Sequence, residues 1–244
     1  MKISAYLSIA VIAFLGFLIA FAPASVLWSV IEKDVSRAVP DLKVMSVGGS
    51  IWSGKTEIQF RQFPSSRLSW TISPLNILSG TGSIRIIAEG NGHSMELEAD
   101  ATPSEVDMKI PNGNLSSDYI NRVSEQYGLI FAGNLSFNGV FMATREAKLV
   151  DATGFAHWTG GRVFVAGQSQ PLDLPPLNGE LLFADQLLVL NVTYQQLSMI
   201  KISLNEQGWA TIAIKGRFFD IADLPRPDST TPDETILLLE EKIL

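Results

Sequence analysis

The sequence predicts a mainly β protein: an amino-terminal transmembrane helix, then a long, mostly antiparallel sheet with one or two short helices. Three observations predict it. The opening stretch is apolar and uncharged, segment after segment then alternates apolar with polar residues, and turn-forming residues separate those segments.

Residues 3–22 carry no charge, and from Ile9 onward the stretch is apolar without interruption. A helix of roughly 20 residues spans a hydrocarbon core about 30 Å thick. Ala22-Pro23-Ala24 loosely fits a signal-peptidase site. However, the apolar run is longer than a signal-peptide core, and proline is a poor neighbour for the cut. The expectation is therefore an uncleaved anchor over residues 1–23. The positive charges flanking it are balanced by acidic ones, and a very short amino terminus leaves the bulk of the chain outside, in the periplasm.

Residues 25–39 show helical spacing, with Leu27, Ile31, Val35 and Ala38 on one stripe and Trp28 beside it. Pro40 stops the pattern because it has no amide hydrogen. This predicts an amphipathic connector helix over 24–40. It either packs its stripe on the sheet, the preferred reading, or lies at the membrane surface.

The sheet itself is expected over 41–222. Ile58 and Phe60, then Leu68, Trp70 and Ile72, alternate with polar residues. Met95, Leu97 and Ala99 do the same, as do Val106, Met108 and Ile110. Leu135 and Phe137, residues 188–194 and 200–204, and Ile212 with Ile214 continue the pattern. Period-two patterning buries one face of each strand. Gly90-Asn91-Gly92, Pro111-Asn112-Gly113, Asn138-Gly139 and Glu206-Gln207-Gly208 are read as turns, and such short spacing favours antiparallel neighbours. Residues 115–127 do not alternate and open with the candidate N-caps Ser116 and Ser117, so a helical island divides the run into candidate halves, 41–113 and 128–222. The tail, 223–244, begins as a proline-rich linker and closes with a short acidic–apolar segment read as a helix on the sheet end.

The sequence has 18 Lys and Arg against 25 Asp and Glu, a formal net charge of −7, and no basic run, which argues against nucleic acid. There is no cysteine, so disulfides, thiolate catalysis and cysteine-bound zinc are excluded. Gly49-Ser50-Ile51-Trp52-Ser53-Gly54-Lys55-Thr56 fits the phosphate-loop spacing formally. That loop needs a helix to start at its lysine, whereas an alternating strand follows here. The two histidines, His93 and His157, are scattered, and no nucleophile elbow or metal-binding helix motif is present. Glu96, Glu98 and Asp100 read as the wet face of a strand. The expectation is a protein that is not an enzyme and has no metal or cofactor. Trp52, Trp70 and Trp158 are read as core indoles rather than as a binding surface.

Gly48-Gly49-Ser50-Ile51-Trp52-Ser53-Gly54 resembles the type II secretion protein N family. Pro23-Ala24-Ser25 and Leu27-Trp28 precede this motif in the family's order, and Leu68-Ser69-Trp70, Pro74-Leu75 and Leu78-Ser79-Gly80 follow it. The likeness is strongest over residues 1–90 and returns at 154–165, where Trp158-Thr159-Gly160 echoes Trp52-Ser53-Gly54. The family-motif residues are thus Trp52, Ser53, Gly54, Trp70, Pro74, Leu75, Gly80 and Trp158. The resemblance implies an inner-membrane component of the apparatus that moves folded proteins out of the periplasm, with other inner-membrane secretion subunits as partners. It also implies a curved sheet, distantly like anchored envelope proteins that hold lipid in a groove. A lipid-binding or lipid-conveying role with an apolar concave sheet is accordingly the alternative.

Overall fold

The structure, a computed structural model, describes residues 10–242 apart from 12, 15 and 169. The expected anchor over 1–23 therefore falls partly outside the described residues. Residues 16–20 are helical. Among the described residues, no helix is long and apolar enough to cross a membrane. The chain forms two compact units, Met1–Gly90 and Asn91–Leu244, and in both the strands dominate, as the alternation requires.

In the first unit, helix α1 (Ala24–Ala38) is followed by strands β1 (Leu42–Gly49), β2 (Ser53–Phe60) and β3 (Ser66–Ile72), a one-turn helix α2 (Pro74–Leu78), and β4 (Gly82–Gly90). Each strand pairs antiparallel with the next. Helix α1 ends at Ala38, before the predicted proline stop, and its last turn is closed by the Val39 amide donating to Val35 O. Leu27, Trp28 and Ile31 face Val44, Ile58, Leu68 and Trp70 across a cavity of about 330 Å³. Leu27 and Ile31 thus face the sheet across an open gap and stay 48% and 37% exposed, against 59% and 71% for Val26 and Val30.

The second unit begins with β5 (His93–Ala101) and β6 (Glu105–Leu115), then helix α3 (Ser117–Ser124), β7 (Leu129–Phe131), β8 (Leu135–Arg145), β9 (Lys148–Trp158), β10 (Gly161–Val165) and β11 (Leu172–Leu174). It continues through β12 (Leu177–Ala184), β13 (Leu187–Tyr194), β14 (Leu197–Leu204) and β15 (Trp209–Lys215) to helix α4 (Gly216–Ile221) and β16 (Thr235–Lys242). The main sheet runs β5-β6-β8-β9-β12-β13-β14-β15-β16, and β11-β10-β7 form a separate three-stranded sheet. Two excursions build the small sheet. One leaves after β6 as α3 and β7, the other leaves after β9 as β10 and β11. Both return, so that β6 pairs directly with β8, and β9 with β12.

Several sequence expectations need correcting. Pro111-Asn112-Gly113 is not a turn but lies inside β6, where Gly113 pairs with Phe137. A Cβ there would sit 3.2 Å from the Phe137 ring, so the glycine serves close packing instead of chain reversal. Asn138-Gly139 begins a bulge within β8: against β9 the register shifts between Asn138 and Phe141, so two residues oppose Gly154, and Gly139 adopts φ +59°. The final segment is a strand, not a helix, because β15 offers a free edge whose hydrogen bonds it completes. Helices α2 and α4, of five and six residues, are too short to show a helical period in the sequence. Three tight hairpins turn on Glu146-Ala147, Asp185-Gln186 and Gln195-Gln196, all six residues at positive φ, without the Asn-Gly signature that usually marks such turns.

Candidate functional site

Four of the first unit's family-motif residues, Trp52, Ser53, Gly54 and Trp70, form one structural knot. Trp52, Ser53 and Gly54 turn the chain into β2, and Trp70 stands opposite on β3, in register with Gly54. The indole N–H of Trp70 donates to Ile51 O at 3.1 Å. Gly54 lies so close beneath that ring that a Cβ would collide with it. The Trp52 indole donates to Ile19 O at 3.0 Å, and the Ile51 amide donates to Ala22 O at 3.0 Å. The motif therefore seats the end of the leading helical segment on the sheet. Pro74 opens α2 at its first position, where a missing N–H is harmless. Leu75 is exposed, and Gly80 ends that turn with φ +88°. Trp158 is not part of this knot and belongs to the second unit. Lys55 lies within β2, so the phosphate-loop spacing has no helix to supply amides.

An apolar hollow lies in the second unit, between the small sheet and the main one. Its volume is about 560 Å³ and it is open to solvent. The main sheet contributes a row that runs across five strands: Ala156, Gly179, Val192, Ile200 and Ile214. Each is the register partner of the next. Period-two geometry puts all five on one face, and the small Ala156 and Gly179 deepen one end of the trough. The opposite wall is the inward face of the small sheet, Leu129, Phe131, Val163, Val165, Leu172 and Leu174. Val163 and Leu174 also pack with Ala222, Phe218 and Ile221 from the α4 region.

The wall is uniformly apolar. Asn178 borders the hollow but directs its amide to His157, Nδ1···Oδ1 2.8 Å. The indole N–H of Trp158 is buried and finds no acceptor among the described residues. Among those residues, Met199 is the one large side chain that is fully buried, while Leu190, Ile200 and Ile202 stay half-exposed around the hollow. Water can enter this open hollow but meets an almost wholly hydrocarbon wall.

Side chains that the alternation did not reveal hold the small sheet in place. Asn121 on α3 mimics a neighbouring strand: its Oδ1 accepts from the Phe131 amide at 2.8 Å and its Nδ2 donates to Phe131 O at 2.9 Å. Asn134 accepts from the Ser117 amide at 3.1 Å, and its own amide donates to Thr159 Oγ1 at 3.0 Å, linking the two excursions. Ser116 caps α3 as its sequence position predicts, accepting from the Tyr119 amide at 3.3 Å. Burial pushes the pKa of the Tyr119 hydroxyl up, and the ring lies tilted at 39° against His93 with centroids 4.5 Å apart. Among the described residues, no three metal-ligating side chains cluster.

The family model for type II secretion system, protein N, matches residues 40–227. No curated protein and no solved structure matches the chain.

Proposed function

This chain belongs to the type II secretion system protein N family, and on that premise we propose that it is a non-catalytic, inner-membrane-anchored component of the secretion apparatus that works in the periplasm by protein–protein contact. The uncharged stretch at 3–22 supports the anchor. Other inner-membrane secretion subunits are the partners.

One observation carries the contact role. Strand β16 pairs with β15 and with no other strand among the described residues, so one of its edges keeps its amides and carbonyls open. Leu238 is 59% exposed and Leu239 49% exposed on this strand, with Glu240 and Glu241 following. Natural sheets usually blunt such an edge, and an open apolar one is a template for an added strand. The strand lies beyond the matched residues, 40–227, which fits a contact specific to this chain's own apparatus.

The test is a photo-crosslinking residue at Leu238 in cells with an assembled apparatus. The expected product is a defined adduct with an inner-membrane secretion subunit, lost when the neighbouring Leu239 is replaced by proline while the probe stays at 238. If the chain is recovered without any such adduct while the apparatus is intact, the contact role is wrong.

A further inference from the structure

We propose that the hollow between the small sheet and strands β8 to β15 is a binding site for one acyl chain of a lipid or fatty acid. The inference is independent of the contact role, since none of the residues that form the hollow lies on β16.

The chemistry of the wall selects the occupant. A peptide brings an N–H and a C=O with every residue, and burying these without partners is strongly unfavourable. The main-sheet strands around the hollow already pair with one another through their backbones. Their side chains at the wall are Ala156, Val192, Ile200, Ile214 and similar apolar groups. A peptide, nucleotide or sugar would therefore lose its hydration and gain nothing in return. A hydrocarbon chain loses no hydrogen bond on entry and removes its whole length from water.

Size and shape agree with this. The volume of about 560 Å³ falls in the usual range for a small-molecule site, ~300–1,000 Å³. The row from Ala156 to Ile214 crosses five neighbouring strands, which at about 4.8 Å per step gives a trough about 19 Å long. One leaflet of a bilayer's hydrocarbon core, which is the reach of a single acyl chain, is about 15 Å. Phe131, Trp158 and Phe218 line the same space, and Trp158 supplies a reporter inside it.

The experiment uses the full chain and two probes, a dibrominated stearic acid and a phosphatidylcholine carrying dibrominated chains, both of which quench tryptophan on contact. Trp158 is the one tryptophan on this wall, so the difference between wild type and Trp158→Phe isolates the site from the other indoles. The expected result is quenching in wild type that Trp158→Phe lacks. Ala156→Leu, which fills the trough by several methyl-sized groups, should weaken binding at least about tenfold. Val192→Ala, which enlarges it, should retain binding and so shows that altering the wall does not by itself abolish it. Difference quenching by stearate alone assigns the site to free fatty acid, and quenching by phosphatidylcholine assigns it to membrane lipid. Either sustains the proposal. If neither probe produces a difference, or Ala156→Leu with an unchanged circular dichroism spectrum binds as tightly as wild type, the acyl-chain site is overturned. The crosslink at Leu238 would be unaffected by that failure.

Discussion

The indole nitrogen of Trp52 donates to the carbonyl of Ile19 at 3.0 Å, tying the end of the leading helical segment to a turn thirty-three residues later. The neighbouring Ile51 amide reaches Ala22 O at the same distance. Replacing Trp52 by Phe keeps the ring and deletes the donor. We expect a local loss of about 1 kcal/mol, read as faster hydrogen exchange at the Ile51 amide. Unchanged exchange there would mean that the bond contributes nothing.

Two glycines of the same motif, Gly48 and Gly54, should behave differently. A Cβ on Gly54 would collide with the Trp70 ring and lie 2.5 Å from Gly48 O, whereas one on Gly48 meets nothing within 4 Å. Gly54→Ala is therefore expected to cost about 1–3 kcal/mol through overpacking, and Gly48→Ala almost nothing. Thermal unfolding of the two variants side by side decides this. Similar melting temperatures would refute the packing account.

The small sheet over the apolar hollow depends on Asn121. Asn121→Leu leaves both backbone groups of Phe131 without their side-chain partners, at a cost of about 1–3 kcal/mol per unsatisfied group. Exchange at the Phe131 amide should accelerate strongly, while the amides of β13 and β14 stay protected. Uniform acceleration across the second unit would show that the small sheet does not open independently.

Acid should release the segment that leads into β16. Arg217 donates to both carboxylate oxygens of Asp233, at 2.8 and 2.7 Å. That hydrogen bonding holds Asp233 below its ordinary value of 3.8 and raises Arg217. Because the folded-state value is depressed, the stabilisation is present above 3.8 and fades as pH falls through the lower folded value. The pair is exposed, so the effect is small. Limited proteolysis at residues 223–234 should show a rise on acidification that Asp233→Asn abolishes by being elevated already at neutral pH. An identical pH profile in the variant would remove this ion pair as the cause.

Where one face of a strand is wet and the other dry, the sequence carries its own record. Leu68, Trp70 and Ile72 lie on β3, and Ile212 and Ile214 on β15, where period-two alternation places them. Ser116 is equally legible as a cap, because capping is decided within one turn. Strands β7, β10 and β11 are too short for a period to register. The run Leu237-Leu238-Leu239 has no alternation at all, so its strand state comes from the waiting edge of β15. Asn121 gives no local sign of its role, since its partner is ten residues away and on a different element.

By itself, the sequence determined the strand-rich fold, its antiparallel order and the apolar character of one face, because alternation and turn chemistry act between residues close along the chain. It also carried the spaced motif that marks the family. Only the tertiary structure decided that the excursions after β6 and β9 come together as a second layer, and that the layer stands off the main sheet to leave a hollow. The size of a gap depends on how side chains from distant segments fill the space between them, and no pattern within one segment encodes that sum.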